Sequence, residues 1–306
     1  MRRQTRRWAA RFAVLACAAA GVIAMTPERD GAEVAQPPGL RFLAYNICGS
    51  GGSRAFLCTD DMTNASRGEV PARAGEVERQ VAEWNPDAVF LNEVCRNQYD
   101  AMDEKLETSG YTGLFVRTAT TANCRVDGGA GSADAGLALF ARNLSPLPAR
   151  RLDPPGAVGE QYYLLCGDTT AQGTTIRVCS THWTASDPAA NRYQADQVEK
   201  IVNPWLDAGI PVVLGGDLNV EPGDETLDHL YTRFAEVGAP CADCRSGEAT
   251  YDQWKPPADR PDTKLDYIFL SRDHFTGLSG DAVDADPTVT DHQALRGAAR
   301  LRRALP

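Results

Sequence analysis

Residues 212–219 read VVLGGDLN, and this stretch decides the fold. An apolar run from Val212 to Leu214 predicts a strand that runs into Gly215-Gly216 and then offers Asp217 and Asn219. Residues two apart share a face at a strand end, so this carboxylate and this amide point the same way. The glycines let backbone, and with it a substrate, come close. Such a pair suits work on a phosphate. The carboxylate handles a proton or a metal, and the amide donates a hydrogen bond to an anionic oxygen. Gly, Asp and Asn are also ordinary turn residues, so the stretch alone is equally a strand ending in a turn. Comparable segments elsewhere in the chain decide for a site.

Arg41 to Tyr45 reads as a strand ending at Asn46, and Ala88 to Leu91 as a buried strand ending at Glu93. Between them Val77, Val81 and Trp84 recur at helical spacing. A second helix is expected from about Asn97 to Glu107, and Leu137 to Phe140 reads as a strand. Tyr162 to Leu165 with Thr175 to Val178 looks like a hairpin. Asp187-Pro188 is a cap followed by Pro in the first turn of a helix expected to reach Ala208. Leu265 to Leu270 and Ala294 to Leu301 complete the strands. Polar residues therefore fall at the ends of strands: Asn46, Glu93, His182, Asp217, Asn219, Asp266, Asp291 and His292. A series of this kind is what a site built on a sheet scaffold looks like.

The chain has 306 residues, 43% of them hydrophobic, enough for one large domain or two small ones. Five arginines precede an apolar run from Phe12 to Met25, shorter than the roughly 20 residues of a membrane span. A basic segment before a short apolar one reads as a secretory signal. Cleavage is expected after Ala24, or as late as Ala35, with a linker over 25–39 and the folded domain over 40–303. Arg6-Arg7 hints at twin-Arg export. An uncleaved anchor is the structural alternative. Losing residues 1–24 removes five arginines and no acid, taking the net charge from −10 to about −15. Such a surface does not attract long polyanions unless metal ions and a local basic groove offset it.

Nine cysteines less Cys17 leave eight, an even number in a chain directed to an oxidising compartment. Local spacing suggests Cys48–Cys58, Cys95–Cys124, Cys166–Cys179 and Cys241–Cys244. Cys241-x-x-Cys244 could instead be redox-active or bind zinc, but zinc takes about four ligands and no second pair stands at metal spacing.

Taken together, AYN at 44–46, VFLNEV around Glu93, STHW around His182, GGDLN at 215–219, LDYIF around Asp266 and TDH at 290–292 resemble the endonuclease/exonuclease/phosphatase superfamily. Each motif is weak alone; six in order over residues 40 to 300 are specific. The resemblance implies an α+β fold, a four-layer sandwich of two packed mixed β-sheets flanked by helices. It implies Mg²⁺, with Mn²⁺ as substitute, held by Glu93 with Asn46, and with Asp291 at the same or a second metal site. Mg²⁺ prefers oxygen ligands and is typically held by one or two carboxylates. His292 would take a proton from attacking water, since imidazole titrates near neutrality, and Asp266 would orient it. Asp217 and Asn219 would position nucleophile and phosphate, and His182 would bind phosphate or protonate the leaving oxygen. Asp134 is the expected partner of His182, where related enzymes carry an acid; a solvated loop acid is its bland alternative.

Two departures bear on substrate. Nucleases of this type carry a basic residue entering the strand before the His motif, where this chain reads Glu160-Gln161-Tyr162; Arg150 and Arg151 lie upstream as stand-ins. A Tyr ahead of the GLALF strand is also absent, with Ser132 nearby. Tyr162-Tyr163 and Tyr267 to Phe269 are expected in the core, and His229 and His274 fall in no motif. The expected activity is a secreted, extracellular, Mg²⁺-dependent phosphodiesterase, first of all a nuclease. Its substrate would be a phosphodiester, nucleic acid or a phospholipid head group; the chain is expected to be a monomer with no stable protein partner. A sphingomyelinase-type phospholipase C is the second reading. LNEV, THWTA and GGDLNV favour it, but the span from Arg272 to Thr290 is short, carries several Asp and has no Trp. A catalytically dead binding module on the same fold is the third.

Overall fold

The strands alternate in burial, and that alternation builds the layers. In the computed structural model, residues 39–50, 72–125, 131–241, 243–251, 263–284 and 289–302 are described. The expected signal segment, the linker up to residue 38, and Cys58 lie outside them. The elements are β1 (Leu40–Asn46), α1 (Ala72–Trp84), β2 (Ala88–Cys95), α2 (Arg96–Glu107), β3 (Tyr111–Thr120), β4 (Asp134–Arg142), β5 (Ser145–Pro146), β6 (Arg150–Arg151), β7 (Tyr163–Ala171), β8 (Thr174–Thr181), α3 (Pro188–Asp207), β9 (Val212–Asp217), α4 (Asp228–Arg233), β10 (Phe234–Glu236), β11 (Asp266–Ser271), β12 (Phe275–Val283) and β13 (Ala294–Leu301).

A six-stranded sheet runs β12-β13-β1-β2-β4-β3, and a seven-stranded one runs β10-β11-β9-β8-β7-β5 with β6 paired to β7. Both are mixed: β1 with β2 and β8 with β9 are parallel, and their other neighbours are antiparallel. Phe42, Ala44, Phe90, Leu137, Leu139, Val178, Val213, Ile268 and Leu270 pack between the sheets. The alternate residues of the first sheet, Leu43, Tyr45, Val89 and Leu91, pack outward with Val77, Val81, Met102 and Leu106 of α1 and α2. Those of the second, Val212, Leu214 and Phe269, pack outward with Val198, Val202, Leu206 and Leu230 of α3 and α4. With apolar side chains on both faces, the central strands are continuously buried, and the result is the expected α/β/β/α sandwich.

The sandwich closes tightly at Gly215, where an added Cβ would run into the ring of Phe90, and at Gly216, whose φ is 138° and whose Cβ would strike the Thr181 carbonyl. The close approach these glycines allow is to the protein's own second layer and neighbouring strand, not to substrate. Disulfides join Cys95 to Cys124, Cys166 to Cys179 and Cys241 to Cys244. Cys166 and Cys179 face each other in the β7–β8 ladder, with Cα atoms 4.1 Å apart. Cys48 is also disulfide-bonded. Five strands were not anticipated: β3 and β12 at the edges of the first sheet, β5 and β10 at the edges of the second, and β6 beside β7. Asp187 caps α3 as expected, accepting from the amides of Ala189 and Ala190.

Candidate active site

Strand polarity gathers the polar residues at one edge. β1 and β2 end together, with Asn46 opposite Asn92; β13 runs antiparallel to β1, so the segment before it, Thr290–His292, arrives at the same edge. In the second sheet β8 and β9 are parallel, and β11 runs against β9 with Asp266 opposite Asp217.

Asn46 and Asn92 leave the first sheet on the same face. Asn92, fully buried, donates from Nδ2 to the Thr181 carbonyl (2.9 Å) and accepts on Oδ1 from the Asp217 amide (2.8 Å). It is a direct clamp between the sheets, not singled out in the sequence although it stands beside Glu93 in LNEV. Strict alternation would turn Glu93 away. A register shift between Leu91 and Val94 and a φ of 56° at Glu93 turn it back. A non-glycine residue in this region costs roughly 1–2 kcal/mol. The Asn46 Nδ2 then donates to Glu93 Oε1 (3.2 Å) and Asp217 Oδ2 (3.1 Å), while its Oδ1 accepts from the Cys48 amide (3.0 Å).

On the other side His292 Nδ1 and Asp266 Oδ2 lie 2.7 Å apart, both residues buried. The Asp266 amide donates to Thr250 Oγ1 at 2.9 Å, and the carbonyl of Asp266 accepts from buried Lys264 Nζ at 3.0 Å. Thr290 Oγ1 accepts from the His292 amide (3.1 Å) and donates to the Asn46 carbonyl (2.7 Å). The ring of Tyr251 lies 4.8 Å from that of His292. His292 Nε2 stands 3.7 Å from Asp217 Oδ2 and 3.9 Å from Asp291 Oδ1. Burial opposes charge on this imidazole, but the charge and hydrogen bond of Asp266, with the charges of Asp217 and Asp291, outweigh it and push its pKa up to about 10. Burial, then the nearby Asp266 charge, pushes the Asp217 carboxyl up to about 6 against the pull of the histidines. Without a cation, His292 therefore carries its proton at neutral pH, unlike the free imidazole assumed from its residue type.

His182 Nε2 lies 3.1 Å from Asn219 Nδ2 and 3.6 Å from Asp217 Oδ2. Asn219, with φ 51°, also donates to the Trp183 carbonyl at 2.9 Å. Asp134 is not brought to His182. It heads β4 in the other sheet and pairs at the surface with Arg117, 3.7 Å away. Nor do Arg150 and Arg151 reach the site. Arg151 is bound to Asp153 at 2.8 Å, and Arg150 lines a separate cavity with Lys200 and Trp205. Tyr162 packs, partly buried, against the outer core of the second sheet and also lines the cleft, its ring centroid 6.5 Å from that of His182. The cleft holds about 520 Å³, and its described lining includes Glu93, Glu160, Asp217, Glu221 and Asp291 but no Lys or Arg.

A hard divalent cation fits this lining. Its donors are oxygens, and its buried like charges need an opposite charge beside them. Glu93 and Asp291 would hold the ion, with Asn46 able to offer its amide oxygen after a flip of the side chain. Asp217, Asp266 and His292 also present ligand atoms within 4.8 Å of one another, but the last two already bond each other at 2.7 Å.

Oxygen donors for a hard cation, with a carboxylate–imidazole pair a few ångströms away, are what hydrolysis of a phosphate ester requires. The class is that of phosphoesterases. Residues 43–292 match the endonuclease/exonuclease/phosphatase family, and the chain belongs to it. No curated protein sequence matches it. Its fold is similar to that of the human nocturnin catalytic domain with bound sulfate, at TM-score 0.64 and 19% identity over 88% of this chain and 95% of that one. An endonuclease/exonuclease/phosphatase from Bacteroides vulgatus gives 0.62 and 18%, covering 87% and 100%. A mannosyl-6-phosphatase of Bacteroides thetaiotaomicron gives 0.59 and 17%, covering 86% and 99%.

Proposed function

We propose that the protein is a secreted phosphodiesterase that depends on a divalent cation, Mg²⁺ with Mn²⁺ as substitute. The observation that carries the reading is the meeting, in one cleft, of the Asn46–Glu93–Asp217 cluster and the Asp266–His292 pair. Secretion is supported by the basic-then-apolar N-terminus and the cystine content.

When bound, the cation supplies positive charge to the phosphoryl oxygens and offsets the negative potential of the acidic cluster. With that potential reduced, the His292 Nε2 is free to accept a proton from water, while Asp266 fixes the ring through Nδ1. Asp217 sits between the two histidines, where it orients the attacking water. Asn219 donates toward phosphate, and His182 beside it delivers a proton to the departing alcohol. A new P–O bond forms to the water oxygen, the ester P–O bond breaks, and the water's proton is made good on the leaving oxygen.

A nuclease is the form of this activity that the motif set implies. The acidic lining weighs against a long polyanion, and it favours the second reading, cleavage of a small or head-group diester. The test is a panel of plasmid DNA, RNA, sphingomyelin, a phosphomonoester and an inositol phosphate, each with Mg²⁺ and with EDTA. Mg²⁺-dependent turnover of a diester is expected, and its absence on every diester would overturn the reading.

A further inference from the structure

Close to the Asp266–His292 pair lies a buried ammonium that the chemistry above does not use. Lys264 is 5% exposed, and its Nζ donates to the Asp266 carbonyl at 3.0 Å, its one hydrogen bond among the described residues. The sheet explains why that carbonyl needs a partner. Asp266 stands opposite Asp217 in the ladder, but the Asp217 amide donates to Asn92 and its carbonyl accepts from the Trp183 amide. On the other side of β11, β10 pairs only as far as Phe269, and the Val237 amide then reaches Ile268. Among the described residues no strand backbone pairs with Asp266 there. Two side chains stand in for it: Thr250 Oγ1 accepts from the Asp266 amide at 2.9 Å, and Lys264 Nζ donates to the carbonyl. The lysine is tightly packed. Its Nζ lies 4.7 Å from the centre of the Tyr267 ring, and a Cβ at Gly247 would stand 2.9 Å from its Cε. Burial pulls its pKa down, against the charges of Glu236, Asp266 and Glu248. A methionine of similar length fills such a space without burying a charge, so packing alone does not call for a lysine.

We propose that Lys264 is a positioning residue for the proton-transfer pair: its ammonium fixes the main chain at Asp266, and through it the carboxylate that aims the His292 ring. The inference rests on the phosphodiesterase reading above and adds a residue to its proton machinery. Asp266 Oδ2 lies 2.7 Å from His292 Nδ1, so a turn of the peptide after Asp266 shifts the carboxylate and with it Nε2, the atom that meets the water. A misplacement of about 1 Å at a reacting atom costs about 10²-fold in rate. With Thr250 still holding the amide, the displacement is smaller, and a loss of about 10-fold is expected. Lys264 does not line the cleft, so it acts on the rate of the chemical step and not on the binding of substrate or cation.

The experiment follows hydrolysis of bis(p-nitrophenyl) phosphate with Mg²⁺ in a double-mutant cycle of Lys264→Met with Asp266→Asn. Here p-nitrophenolate departs without needing a proton, so the rate reports on the attack of water. Lys264→Met is expected to lower kcat by about 10-fold, with KM and the Mg²⁺ concentration for half-activity unchanged. In the Asp266→Asn background the same change should lower kcat by at most about 2-fold, because both act through one carboxylate. A general loosening of the fold would instead multiply with Asp266→Asn. An unchanged kcat in Lys264→Met, a loss that appears in KM, or the full loss in both backgrounds overturns the inference and leaves the phosphodiesterase standing. Lys264→Met leaves buried Glu236, already bound by the Tyr231 hydroxyl at 2.6 Å, without its neighbouring positive charge. If that variant does not fold, Lys264→Met with Glu236→Gln removes both charges and carries the same expectations, and wild-type kcat in it overturns the inference. No turnover by the unaltered protein overturns the phosphodiesterase reading and this inference with it.

Discussion

The two sheets bring unlike halves to the site. The first contributes the more open, oxygen-rich side: half-buried Glu93, held in place by a local backbone distortion, with buried Asn46 beneath it. The second contributes the enclosed side: Asp217, whose Oδ1 accepts from the Asn219 amide, and Asp266, whose own amide donates to Thr250 Oγ1. His292 belongs by chain position to the first sheet but bonds Asp266 in the second. The difference teaches that Glu93 and Asp266 reach the site from separate sheets and can be broken separately, while the Asp291-His292 segment couples the two sides.

The largest effect is expected on the open side. EDTA should abolish turnover, Mg²⁺ or Mn²⁺ should restore it, and Glu93→Gln should lose most of it. Full turnover in EDTA would sink the division of labour. On the enclosed side, His292→Ala and Asp266→Asn should each lower kcat by about 10²-fold or more. The double variant should be little worse than the worse single one, because the pair acts as a unit.

A titration sharpens the comparison further. In metal-free protein the His292 ring should hold its proton to about pH 10, raised from 6.5. A group raised in the folded state stabilises below its unfolded value, so this contribution is full below 6.5 and lost as pH rises toward 10. Ring shifts followed by NMR in EDTA check it, and Mg²⁺ should move the midpoint down. Titration near 6.5 in EDTA would show that the acidic cluster does not govern the ring. A smaller change tests the seam between the halves: Asn92→Ala, which leaves buried partners unsatisfied, should cost roughly 1–3 kcal/mol, read as a lower Tm. The smallest is His229→Ala. That ring is exposed, 3.5 Å from Glu199, and activity should be unchanged.

The strands that carry the site were legible because burial on both faces writes a continuous apolar run, as in Ala88–Leu91 and Val212–Leu214. β3 and β12 were not. They are edge strands, and their half-exposed, mixed patterns carry little signal. In the site, the residue types at strand ends marked Asn46, Glu93, Asp217 and Asp266 at once. What alternation along one strand could not show is cross-sheet pairing. Asn92 looked like a bystander beside Glu93, and Tyr162 like core alone, whereas it packs on the core and also lines the cleft. Asp134 stood at the right strand but reached Arg117. The charge on His292 was hidden for the same reason: besides adjacent Asp291 it depends on Asp266 and Asp217, brought in from two other segments.

The Asn92 clamp makes one amide proton a gauge of the whole assembly. The Asp217 N–H is donated to a side chain of the opposite layer, so it exchanges with solvent only when the layers part. Fraying of either sheet's edge leaves it untouched. Its exchange rate would measure how often the two halves separate, and so the ceiling on how long the site stays assembled.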